Sequence, residues 1–320
     1  MLHILLVTFP FFALVLAGYV AARRRMLPLE AIPGLNGFVL FFALPCMLYR
    51  FGSTTPIAQL LDGWVAGLYL LCGLIVVGAT IAFTRNARIR WNDASLGALV
   101  AAFPNSGFMG VPLIVALLGA SAAGTVILTM VVDMVITSSL CIALSRLDEA
   151  QGQGRSAVAE ATRKALKGVL TNPMPWAIVL GGLASAWAFT LPKPVEQTVW
   201  LLADSASPVA LFTIGAVLAR AQMTANHPMP LADYLPVALM KLFVHPLLVL
   251  AVGWLAIRAG APLPWPTLVV MVLVAALPSA SNVSLLAERF GADNGRIARI
   301  ILVTTAAAFL TFSGAVALLT

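Results

Sequence analysis

Two stretches decide the fold: Ala101-Ala102-Phe103-Pro104-Asn105-Ser106-Gly107-Phe108-Met109-Gly110-Val111-Pro112, and Ala275-Ala276-Leu277-Pro278-Ser279-Ala280-Ser281-Asn282-Val283-Ser284. Each sits inside a long apolar run, and each interrupts it with a proline followed by small polar residues. Proline removes a backbone donor and clashes with the preceding turn, and glycine weakens a helix, so regular hydrogen bonding is not expected to survive there. Backbone groups freed at membrane depth need protein or water as partners, because lipid offers none.

The surrounding composition requires a membrane. Of 320 residues, 61% are hydrophobic and 10% charged, against about 45 to 50% and about 25% in soluble domains. At roughly 20 residues per span, ten or so spans consume most of the chain. Large extramembrane catalytic or nucleic-acid-binding domains are thereby excluded, and the net charge of +7 has to be read by placement. Apolar runs between Gly, Pro and charged breaks predict helices over 3–22, 33–50, 61–83, 93–119 and 122–145, then 172–190, 195–220, 232–258, 267–290 and 295–319. The cluster Arg23, Arg24, Arg25 follows the first run, and no charge precedes it, which is the wrong order for a cleaved leader. With the N-terminus outside, fifteen Lys and Arg fall in cytoplasmic segments and only Arg50, Lys193 and Arg258 in external ones. The positive-inside rule therefore predicts that both termini face the periplasm or exterior. Residues 146–171 are hydrophilic and read as a cytoplasmic linker between halves 1–145 and 172–320.

The halves resemble each other. Pro45, Leu48 and Gly52 recur as Pro208, Leu211 and Gly215 at an offset of 163, and Ala101, Ala102, Pro104 as Ala275, Ala276, Pro278 at an offset of 174. An odd number of helices per half makes the second enter from the opposite side, giving an all-α integral membrane protein with a 5+5 inverted repeat, as in many secondary transporters. The broken fourth and ninth helices then bring half-helix N-termini and the amides of Asn105 and Asn282 to the midplane, suited to an anionic group. The bland alternative is a pair of proline kinks whose Asn and Ser merely cap freed backbone.

The run Asn105 to Pro112 resembles the fourth-helix signature of the auxin efflux carrier family. Pro278 to Asn282, followed by Leu286, Ala287, Glu288, Arg289, Phe290, Gly291, Ala292 and Asp293, is similar to its ninth-helix region. The resemblance implies ten helices, with 1, 2, 6 and 7 as scaffold, 3–5 and 8–10 as a mobile transport domain, and helices 4 and 9 crossing at the substrate. It thereby assigns Pro104, Asn105, Ser106, Gly107, Pro278, Ser279, Ser281 and Asn282 to the substrate site, with elevator-like alternating access and a homodimer through the scaffold. The short central linker departs from many plant auxin carriers and is more similar to bacterial malonate and malate carriers.

Ionisable residues inside spans mark function or structural pairing. Asp133 lies mid-span in a polar stripe with Thr125, Thr129 and Thr137. A lone carboxyl there is costly as a charge, so a neutral acid and a proton carrier are both open. Lys241 and His245 stand one turn apart in the eighth helix, where a structural ion pair with Asp133, coupling to substrate or proton, and snorkelling compete. Asp204 reads as local packing in the scaffold. Cys46, Cys72 and Cys141 show no metal or disulfide spacing, and His3 and His227 add none. No phosphate loop appears, so gradients are the expected drive. The favoured function is a secondary transporter of a small organic anion such as malonate or malate, with no cofactor or metal, and with proton preferred over sodium as coupling ion. A cation/proton antiporter without organic substrate is the runner-up, and a membrane hydrolase lacks a nucleophile elbow.

Overall fold

In the computed structural model, residues 2–147, 163, 171, 173–224 and 229–320 are described. Of the linker, only Arg146, Leu147, Arg163 and Thr171 are among them; the rest lies outside, as does His227. The described residues are helical, with one isolated bridge in place of a sheet. The helices are α1 (Leu2–Arg23), α2 (Leu29–Thr54), α3 (Gly63–Thr84), α4 (Trp91–Ala102), α5 (Ser106–Leu118), α6 (Ala120–Ser145) and α7 (Pro173–Ala186). After them come α8 (Lys193–Thr224), α9 (Leu235–Arg258), α10 (Trp265–Ala276), α11 (Val283–Arg289) and α12 (Asn294–Leu319).

Seven of these, α1, α2, α3, α6, α8, α9 and α12, are long and apolar enough to cross a membrane. The other three expected intervals hold the shorter apolar helices α5, α7 and α10. Two of those intervals are cut where Pro104 and Pro278 stand, so neither can present one unbroken span. Large apolar side chains are bare along the helices, among them Phe9, Leu201 and Leu247, as lipid-facing surfaces require.

Proline also explains the wide turns within helices. Single π-helical turns occupy Val39–Ala43, Ser106–Gly110 and Met240–Val244. Each ends two residues ahead of a proline: Pro45, Pro112 and Pro246. A proline cannot donate to the carbonyl four residues back and crowds it, and a widened turn absorbs both defects. The fourth π turn, Asp133–Thr137, has no proline; the Ser138 hydroxyl donates to the Asp133 carbonyl at 2.8 Å. The expectation that helical geometry fails through Pro112 is therefore too broad. The chain is extended only around Phe103 to Asn105, and α5 begins at Ser106.

The chain forms two compact units. The first comprises Met1–Asp62, Ser106–Leu128 and Asn172–Thr224, and so holds α1, α2, α5, the start of α6, α7 and α8. Its helices touch through glycine. A Cβ at Gly18 of α1 would lie 1.8 Å from the carbonyl oxygen of Phe212 in α8, and one at Gly215 would lie 1.8 Å from that of Val15. In the same unit, a Cβ at Gly181 of α7 would lie 2.7 Å from the Tyr49 carbonyl oxygen of α2, and one at Gly52 would lie 3.3 Å from that of Ile178. The two contacts are one contact used twice: Val15 and Gly18 become Ile178 and Gly181, and Phe212 and Gly215 become Tyr49 and Gly52, each by the same offset of 163 residues. Arg50 and Asp204, 2.6 Å apart, join α2 to α8.

The second unit comprises Gly63–Asn105, Thr129–Thr171 and Ala225–Thr320. At its core lie α4 and α10, buried on all sides from Ala94 to Ala102 and from Leu268 to Ala276. A helix apolar all round belongs in such a place. A polar clamp ties the starts of α4, α9 and α12. Arg296 donates from Nε to the Asp233 carbonyl at 2.7 Å and from Nη1 to the Asp93 carbonyl at 2.8 Å, and Arg88 pairs with Asp233.

Candidate functional site

The site starts from the residue before each proline. A following proline disfavours helical backbone, and Phe103 and Leu277 are accordingly extended, with ψ of 103° and 155°. These extended stretches lie against each other and pair antiparallel, with Pro104 opposite Ser279. The Asn105 N–H donates to the Pro278 carbonyl at 2.8 Å, and the Ala280 N–H donates to the Phe103 carbonyl at 2.9 Å. Each break thereby satisfies groups that the other has lost, which resolves the cost of irregular backbone in an apolar unit.

Two carbonyls left over from the breaks have side-chain donors. Val100 would bond in a helix to residue 104, but Pro104 carries no N–H, and the Ser279 hydroxyl donates to the Val100 carbonyl at 2.7 Å. Ala275 would bond to the N–H of Ser279, which instead donates to Thr304 Oγ1 at 3.3 Å; Lys241 Nζ donates to the Ala275 carbonyl at 2.8 Å. An ammonium at the C-terminal end of α10 also meets the negative end of the helix dipole.

Of the residues assigned to substrate by sequence, Pro104, Asn105, Pro278, Ser279, Ser281 and Asn282 come together at this crossing in the second unit. Asn105 is 4% exposed and Ser279 1%. Asn282 Oδ1 is buried just ahead of α11 with no hydrogen-bond partner among the described residues, an unusual cost for a native structure. Ser106 and Gly107 open α5 in the first unit.

A second polar cluster lies in the same unit as the crossing. Asp133, 1% exposed, accepts hydrogen bonds from the hydroxyls of Tyr69 and Thr137, both at 3.1 Å. Lys241 Nζ lies 3.2 Å from His245 Nδ1, and the His245 ring is 6.0 Å, centre to centre, from that of Tyr69. His245 Nε2 is buried with no partner among the described residues. Direct hydrogen bonds of Lys241 thus go to Ala275 and His245, and those of Asp133 to two hydroxyls. Sequence reasoning does not single out Tyr69, although it is the lone tyrosine inside the apolar run Gly63–Thr84, and a buried phenol usually finds a partner. Ser279 as a donor to α4 carried no sequence signal at all, because its partner is 179 residues away.

The family model described as "Membrane transport protein" matches residues 3–316. A "Putative malonate transporter" of Rhizobium meliloti (strain 1021) is 28% identical over 310 residues, covering 95% of this chain and 92% of that protein. The "Uncharacterized transporter YfdV" of Escherichia coli (strain K12) is 26% identical over 286 residues, covering 88% and 86%. An "Uncharacterized transporter" of Methanothermobacter thermautotrophicus is 24% identical over 296 residues, covering 91% and 90%.

Proposed function

This chain belongs to the membrane transport protein family, the auxin efflux carrier family, and from that premise we propose that it is a secondary transporter of a small organic anion, a dicarboxylate of the malonate or malate class. The observation that carries the reading is the crossing itself. Two Pro-led breaks pair through backbone in an otherwise apolar unit and gather Asn105, Ser279, Ser281 and Asn282. Amides, hydroxyls and helix N-termini are the groups that hold a carboxylate without a permanent countercharge. Likeness to a protein named for malonate supports that substrate class.

On this reading the first, second, sixth and seventh spans (α1, α2, α7 and α8) are scaffold, the remaining spans carry substrate in an elevator-like exchange, and the chain is a ten-helix 5+5 inverted repeat in the bacterial inner membrane with both termini periplasmic. The 163-residue correspondence between the α1–α8 and α7–α2 glycine contacts supports the repeat. Asp133, Lys241 and His245 serve coupling, and a homodimer forms through the scaffold. The test is malonate counterflow in proteoliposomes, which needs no driving gradient. Parent protein exchanges malonate, and Asn105→Ala and Asn282→Ala each lose at least about tenfold, the scale of one hydrogen bond to a charged group. Parent-like exchange in both variants would remove the crossing as the binding site.

A further inference from the structure

Three helices of the second unit converge on one closed polar cluster: α3 brings Tyr69, the π turn of α6 brings Asp133 and Thr137, and α9 brings Lys241 and His245. Tyr69, Lys241 and His245 are fully buried and Asp133 nearly so. Cys72 of α3 and Cys141 of α6 are the other titratable groups acting electrostatically on it. With one carboxylate and one ammonium, the cluster is formally neutral. We propose that it is the proton-binding site of the transporter, with Asp133 as acceptor, Tyr69 and His245 as its relay, and Lys241 as the residue that links its charge state to the break at Pro278. This rests on the reading of the crossing as an anion site.

The chemistry selects a proton over a metal cation. A sodium or divalent site needs several oxygen ligands, and here the groups around the single carboxylate include an ammonium in contact with an imidazole, which repels a cation. A proton needs one basic oxygen. Asp133 takes it to become a neutral carboxyl and returns it unchanged on release, so no other bond is made or broken. The Tyr69 hydroxyl lies on one side of that oxygen. Beyond Tyr69 stands the His245 ring, one nitrogen against Lys241 and the other with no partner among the described residues, an arrangement able to receive or pass a proton.

The consequence for transport is charge. With Asp133 protonated and Lys241 charged, the cluster holds one net positive charge in an apolar medium, which an anionic carboxylate at the crossing offsets. With Asp133 deprotonated and no anion at the crossing, Asp133 and Lys241 balance each other. Lys241 stands between the two sites because its ammonium holds the carbonyl of Ala275, three residues before Pro278. Loss of either charge from the cluster leaves the other buried and uncompensated.

Proteoliposomes loaded with buffer or with malonate test this, using labelled malonate for both counterflow and uphill uptake driven by an acid-outside gradient. Parent protein is expected to do both. Asp133→Asn resembles the protonated carboxyl and is expected to keep counterflow while its uphill accumulation disappears. Tyr69→Phe preserves the ring and is expected to lower accumulation roughly three- to tenfold, the worth of one hydrogen bond, at parent-like counterflow. Should Asp133→Asn not fold, the Tyr69→Phe comparison decides. Counterflow by the parent without any pH-driven accumulation, accumulation driven by sodium alone, or undiminished accumulation in the variant that decides overturns the proton site and leaves the transport reading standing. Absence of parent counterflow with every carboxylate tried overturns the transport reading itself, and the proton site with it.

Discussion

Replacing Gly18 by Ala should destabilise the first unit more than any other single-methyl addition to α1, α2, α7 or α8, with Gly215 its equal. The added Cβ would sit 1.8 Å from the Phe212 carbonyl oxygen, and contacts under 3.0 Å are not sustained by real Cβ atoms. The opposing atom is backbone, so no rotamer change relieves it. The helices α1 and α8 must part by at least about 1.2 Å, and a gap of about 0.5 to 1 Å already forfeits a quarter to a half of a dispersion contact. The cost is about 3 kcal/mol or more, above ordinary overpacking, and lowers the melting temperature in detergent by about 6 to 12 °C at about 2 to 4 °C per kcal/mol. Gly215→Ala should match it, since its Cβ would lie 1.8 Å from the Val15 carbonyl oxygen. Gly181→Ala, at 2.7 Å, should fall between, and Gly52→Ala, at 3.2 Å from its nearest neighbour, should cost least of the four. Gly67 and Gly78 have nothing within 4 Å of the point where a methyl would stand, so Ala there should be neutral or stabilise by about 0.5 to 1 kcal/mol through reduced backbone entropy. Melting of Gly18→Ala and Gly215→Ala within a degree of the parent, measured by tryptophan fluorescence, would refute the backbone contact.

Ser279→Ala removes the donor that replaces the missing Pro104 N–H at the Val100 carbonyl and should cost about 1 to 3 kcal/mol, while Ser279→Thr should recover part of it; melting curves of the pair check this. Gly97→Ala would place a methyl 2.8 Å from Nη1 of the doubly bonded Arg296 and should destabilise by about 1 to 3 kcal/mol, read as faster proteolysis at the starts of α4 and α12. Arg88→Ala should change stability by less than about 1 kcal/mol, because the Arg88 side chain of its pair with Asp233 is 65% exposed, and added salt should erase the difference.

Much of the site is legible from residue types. Pro104 and Pro278 announce where helix must stop, because a missing N–H and a restricted preceding residue are covalent facts that hold in any context. The extent of the first break is not: Gly107, Gly110 and Pro112 suggest continued irregularity, yet one π turn restores helix from Ser106, because widening a turn is cheaper than leaving buried backbone unpaired. Asp133, Lys241 and His245 stand out as charges in apolar spans, whereas Tyr69 does not, since a tyrosine in a membrane helix is as often at an interface as in a core.

Local chemistry, then, determines the helices, their interruptions, the all-α membrane class and the candidate polar residues, since each follows from hydrogen-bonding capacity and hydrophobicity over a few neighbouring positions. Tertiary structure alone decides who supplies the missing bonds: Ser279 for Val100, Lys241 for Ala275, the Asn105 N–H for Pro278. It also decides which glycines matter, separating Gly18 pressed against a carbonyl from Gly67 in open space. The reason is that a donor's partner and a methyl's clearance are distances between chain segments far apart in sequence, and only packing sets them.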